Sequence, residues 1–180
     1  MQKNSKQFLF KVVFTSVLIA LNVILERFLS YSVWNQSISF SFITIAFAAS
    51  FLGIPYAIAV GGLGDLIGSL LFPFGPYFPG FTLTNVLAAL CTGIFLRKNA
   101  TILKISASVV LNKIFCTLLL NTLWISILYR GGISDFYTVL VPRLPQAVFM
   151  GIIEIIVLII VFSEKSKIRN ILAKNINKIN

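Results

Sequence analysis

Apolar residues run through this chain in long blocks rather than alternating, and short polar or Pro/Gly segments separate the blocks. Six blocks are candidate membrane spans: about 8–29, 38–53, 55–72, 81–97, 101–129 and 144–162. A stretch of about 18 or more apolar residues is long enough to cross a bilayer as a helix. In hydrocarbon every backbone polar group has to be paired within the segment, which makes these blocks helices. A membrane barrel would instead show two-residue alternation. The pattern therefore predicts an all-α integral membrane protein, a bundle of six transmembrane helices forming a single domain over residues 1–180. A basic tail, 163–180, follows it.

Composition and charge extend this picture. The chain is 58% hydrophobic, and only 11% of its residues are charged. Its formal net charge is +10. The basic residues cluster at and before the start of the first block (Lys3, Lys6, Lys11), around the junction of the fourth and fifth (Arg97, Lys98, Lys104) and after the sixth (Lys165, Lys167, Arg169, Lys174, Lys178). With six spans these regions share one side, so the positive-inside rule places both termini in the cytoplasm. Membrane topology accounts for the charge, and no nucleic-acid partner is inferred. In the tail Ile168, Ile171, Leu172 and Ile179 fall near one helical face among cations. That suits either an amphipathic helix on the anionic leaflet or a frayed basic end.

Polar residues inside the spans recur at helical spacing. Lys113, Thr117, Asn121 and Trp124 follow i, i+4, i+8, i+11 in the fifth block, and Arg143, Gln146, Met150 and Glu154 follow i, i+3, i+7, i+11 in the sixth. Thr15, Asn22 and Glu26 share a face of the first, with Ser16, Ala20 and Arg27 on the adjacent one. Thr82, Asn85 and Thr92 share a face of the fourth. These stripes describe a bundle with a polar interior. At about 1.5 Å per residue Asp65, Lys113 and Glu154 all lie near the middle of a core about 30 Å thick. An unpaired charge there costs on the order of 3 kcal/mol or more. Lys113 is therefore expected to pair with Asp65 or Glu154 in a structural charge network. The rival reading makes these three residues the relay of an ion-coupled secondary transporter.

The segment Gly61–Asn85 is the best candidate for a binding site. It places Asp65 among glycines, turns through Pro76-Tyr-Phe-Pro79, and re-enters an apolar run at Thr82, Thr84 and Asn85. Tyr77, Phe78, Phe81, Trp34, Trp124 and Tyr129 gather at the outer face, either as an interfacial belt or as a stacking surface for a flat heterocycle. Arg27 and Arg143 suit an anionic ligand, because guanidinium grips a carboxylate at two points. Arg27 has alternatives: Glu26, or the interface. Asn121 and Gln146 add hydrogen-bonding groups.

Other chemistries are absent. The chain has no histidine, no nucleotide-binding G-x-x-x-x-G-K-[ST] loop and no C-x-x-C. Cys91 and Cys116 read as apolar core thiols. No catalytic residue and no metal site is expected.

The pattern G-G-L-G-D-L-I-G at Gly61–Gly68 and the run from Leu71 to Thr84 resemble the substrate-binding S components of energy-coupling factor (ECF) vitamin transporters. Glu26-Arg27-Phe28 and Arg143-Leu-Pro-Gln146 are similar to the folate-specific branch. The resemblance implies a bacterial, multi-pass cell-membrane protein that binds folate or a related vitamin, such as riboflavin, biotin or thiamine, from outside. It implies partners, a membrane coupling subunit and two ATPases that use the ATP, so this chain itself binds no cofactor. It further implies a docking face at Ser16 and Ala20, where the family usually has alanines. Within it, a pterin would meet Tyr77, Phe78, Phe81 and Trp124. Thr82, Asn85 and Gln146 would meet its hydrogen-bonding edges, and Arg27 or Arg143 the glutamate tail.

Overall fold

The computed structural model describes residues 2–33, 36–97, 100–130 and 132–163. Trp34, Lys98 and the tail from residue 164 lie outside them. The elements in chain order are α1 (Gln2–Arg27), β1 (Tyr31–Val33), β2 (Gln36–Ile38), α2 (Ser41–Phe51), α3 (Ile54–Leu71), α4 (Pro79–Leu96) and α5 (Ile102–Leu111). A π-helical segment (Asn112–Leu120), α6 (Asn121–Tyr129), a 3-10 turn (Ile133–Asp135) and α7 (Phe136–Ser163) complete the order.

Among the described residues five helical stretches are long and apolar enough to cross a membrane: Ser5–Arg27, Ile54–Leu71, Pro79–Leu96, Ile102–Tyr129 and Ile133–Phe162. The expected second span is corrected. Its helix has 11 residues, Ser41–Phe51, about 16 Å of rise against a core of about 30 Å. The chain before it is drawn into an antiparallel hairpin, with Tyr31 opposite Ile38 and Val33 opposite Gln36. Among the described residues the regular structure is thus helical apart from one short ribbon. Ser39 then accepts the Ser41 N–H at 3.1 Å and starts α2. At the other end Gly53 turns the chain at φ 107°, a conformation that disfavours any residue with a Cβ, and Pro55 lies in the first turn of α3.

The sixth span is also corrected. Its helix begins at Phe136 and carries Pro142 and Pro145 in its interior. Each proline removes one backbone donor, which membrane helices tolerate where neighbouring groups satisfy the freed carbonyls.

One end of the bundle is closed by apolar packing. Leu18, Ile45, Ala46, Ala48, Ala49, Ala57, Val60, Ala89, Leu96, Ile105, Val109, Leu158 and Phe162 form a single buried cluster. Alanine dominates α2 there because neighbouring helices approach closely around it. The opposite end, where α1 and α3 finish and α4 and α7 begin, is left open to polar side chains.

Candidate functional site

That opposite end encloses a cavity of about 530 Å³, within the range of small-molecule sites. Every α-helix except α5, together with the π-helical segment, contributes to its wall. Arg27 comes from the end of α1 and Asp65 and Ser69 from α3. The loop 73–78 supplies Phe74, Tyr77 and Phe78, and α4 supplies Phe81, Thr84 and Asn85. Lys113 and Asn121 come from the fifth span, and Arg143, Gln146 and Glu154 from α7.

Asp65 is bound on both oxygens. Arg27 Nη2 stands 3.6 Å from one, and the Thr82 hydroxyl donates to the other at 2.5 Å. Tyr77 Oη lies 3.3 Å from the same Thr82 hydroxyl and so ties the loop to this group. Phe74 lies against the Arg27 guanidinium at 5.0 Å, a cation–π arrangement. Gly68 makes room for Arg27, because a Cβ there would stand 2.8 Å from its Nε. Beneath, Thr44 donates to Asn22 at 2.5 Å and Asn22 to Glu26 at 3.3 Å, which joins α2 to α1.

Lys113 Nζ meets Glu154 Oε1 at 2.5 Å. Of the two partners the sequence left open, Glu154 is the one found. The expected three-residue charge network is corrected to two separate pairs, Arg27–Asp65 and Lys113–Glu154, both on the cavity wall.

Arg143 differs from both. It is only 9% exposed, lines the cavity, and its Nε and Nη1 have no hydrogen-bond partner among the described residues. Asn121 Oδ1, also on the wall, is buried and unpartnered too. A buried guanidinium with free N–H groups calls for an anion, since unsatisfied buried donors are costly.

Most of the expected site residues meet at this cavity: Arg27, Tyr77, Phe78, Phe81, Thr84, Asn85, Asn121, Arg143 and Gln146, together with Asp65, Lys113 and Glu154. Two do not line it. The Thr82 hydroxyl is committed to Asp65. Trp124 packs on Phe78 at 5.4 Å and donates its indole N–H to Thr84 at 3.1 Å, behind the wall. Thr84 also donates to the Gly80 carbonyl, so its hydroxyl is occupied. Trp34 lies outside the described residues. Ser16 and Ala20 are exposed on the outside of α1, whereas Arg27, expected on their face, reaches inward. The reading of the sequence gave no site role to Ser41 and Phe42 of α2 or to Asn112, yet all three line the cavity. The Ser39-x-Ser41 start of α2 was the available signal. No group of three His, Cys, Asp or Glu among the described residues could hold a metal ion.

Comparison with known proteins adds four findings. The family model described as "ECF transporter, substrate-specific component" matches residues 10–162. The chain is similar to the folate transporter FolT of Clostridium novyi (strain NT), 30% identical over 82% of this chain and 84% of the relative. It is also similar to that of Leuconostoc mesenteroides subsp. mesenteroides, 25% identical over 79% of each. The fold matches a crystal structure of FolT bound with folic acid at a TM-score of 0.75 and 33% identity, over 81% of this chain and 88% of that one.

Proposed function

The chain belongs to the family of ECF transporter substrate-specific components, and from that membership we propose that it is the folate-binding subunit of an ATP-driven importer in a bacterial cell membrane. The observation that carries the reading is Arg143, a buried guanidinium with unpartnered N–H groups, in one cavity with the rings of Tyr77, Phe78 and Phe81. Folate has both complements, a flat pterin and a glutamate bearing carboxylates. The rings take the pterin by stacking. Asn85, Asn121 and Gln146 meet its donors and acceptors. Arg143 takes a carboxylate, and Arg27, already held by Asp65, lends a second positive charge. The names of the relatives support folate over the other vitamins.

The chain performs no chemistry on its ligand. Energy enters through partners, a membrane coupling subunit and two ATPases. Both termini face the cytoplasm, so the cavity end of the bundle opens outward.

Tryptophan-fluorescence titration of the purified protein with folate, riboflavin, thiamine and biotin tests the reading. Trp124, packed against Phe78, is the reporter, and a Trp34→Phe variant isolates its signal. Saturable quenching by folate alone, weakened at least tenfold by Arg143→Gln, is expected. Saturation by another vitamin alone, or by none, overturns it.

A further inference from the structure

The span Ile102–Tyr129 contains nine residues of π-helix, Asn112–Leu120. At its end the Asn121 N–H donates to the Cys116 carbonyl, five residues back. Segments of this kind are rare, are mostly limited to a single turn, and recur at functional sites. No proline or glycine lies within this one to account for it.

The cavity wall supplies the reason. Asn112, Lys113, Cys116 and Thr117 line it, and so do Asn121, Ile125 and Tyr129 above them. An α-helix turns about 100° per residue, so nine residues would place Asn121 about 180° from Asn112. At roughly 4.4 residues per turn the same nine steps return it to within about 20°. The wide turn brings both amides to one wall. It also moves the stripe off Trp124, which α-spacing from Lys113 had included, and onto Ile125 and Tyr129. Two ties hold the segment to its neighbours: Lys113 to Glu154 of α7, and Asn112 Nδ2 to the Thr92 hydroxyl of α4 at 2.9 Å. On its far side Ile114, Phe115 and Leu119 are exposed.

We propose that the π-helical segment is a positioning element of the ligand site, one that sets a polar wall of the cavity and that binding needs but folding does not. The proposal rests on the cavity being the folate site. Removing one residue from the exposed side leaves eight steps between Asn112 and Asn121, and as an α-helix these set the two amides about 80° apart, which breaks the shared wall.

The test deletes Phe115 and measures folate titration together with thermal unfolding. The expected result is at least a tenfold rise in Kd with the melting temperature close to that of the unaltered protein. Inserting an alanine after Leu118 in the same variant restores the length and should restore binding. A deletion variant that binds folate within threefold of the unaltered protein overturns the proposal. If that variant does not fold, the deletion of Leu119 replaces it, and failure of both to fold also overturns the proposal, because the segment would then serve folding. Absence of folate binding in the unaltered protein would instead overturn the reading of the cavity itself.

Discussion

The Asp65 carboxylate holds the Arg27 guanidinium at 3.6 Å on the cavity wall, with both side chains nearly buried at 6% and 10% exposure. The same carboxylate takes the Thr82 hydroxyl and, through it, the loop tyrosine Tyr77. One acidic group thus fixes a cation, a helix start and a loop.

Asp65→Asn can still accept from Thr82, but it leaves Arg27 without its counter-charge. Breaking a buried pair from one side costs about 3 kcal/mol, far more than the pair contributes net. The variant is expected to melt well below the parent. The double variant Arg27→Met/Asp65→Leu removes both charges and should recover most of the loss. Thermal unfolding in lipid nanodiscs measures both. Equal melting of Asp65→Asn and the parent would show that the pair is incidental.

Glu154→Gln tests the second pair by a different contrast. Lys113 would be left charged near the middle of the bilayer, at a cost on the order of 3 kcal/mol. Poor expression and early melting are expected, with relief when Lys113→Met is added. An ion-coupled relay gives the reverse pattern: a variant as stable as the parent that binds folate and fails only in transport.

Much of this architecture was legible in the sequence. The blocks 55–72 and 81–97 lie within two residues of α3 and α4, because Gly53, Pro55 and Pro79 mark their starts. The block 38–53 was too generous, since apolarity alone does not separate a helix from the ribbon that precedes it. The start of α7 was set too late, since Pro142 and Pro145 read as breakers yet lie inside the helix. The polar stripes found the cavity, because a charge or amide has few other places in a membrane. They missed the stripe's shift from Trp124 to Ile125 and Tyr129, because nothing in residues 112–120 announces a π-helix. Pairing within the charge network stayed open, because depth along a helix does not fix its neighbours.

The Arg143 assignment makes a prediction about ligands as well as variants. Pteroate, which is folate without its glutamate, should bind the unaltered protein at least tenfold more weakly, a difference of about 1.4 kcal/mol. In Arg143→Gln the preference for folate over pteroate should shrink, because the group that recognises the glutamate is gone. Arg143→Lys should not restore it, since ammonium lacks the two-pronged geometry. An undiminished preference in Arg143→Gln would move the carboxylate contact to Arg27.

Ser16 and Ala20 face away from the cavity, among the exposed Val12, Val13, Val17, Leu21 and Ile24 of α1. The Ser16 hydroxyl donates to the Val12 carbonyl at 3.0 Å, so it presents no unsatisfied group to lipid. Small residues four apart make a shallow track along which a second helix can approach closely, and such tracks recur where membrane helices associate. Nothing of this chain occupies it among the described residues, which suits a surface reserved for the coupling subunit. Filling the track with Ser16→Trp and Ala20→Trp should leave the folate titration of the isolated protein unchanged, because neither position touches the cavity. Folate uptake by cells carrying the coupling subunit and ATPases should fall at least tenfold, and the variant should no longer co-purify with them. Unchanged uptake would put the docking surface on another face. A loss of folate binding together with uptake would show that the outer face of α1 supports the site rather than a partner.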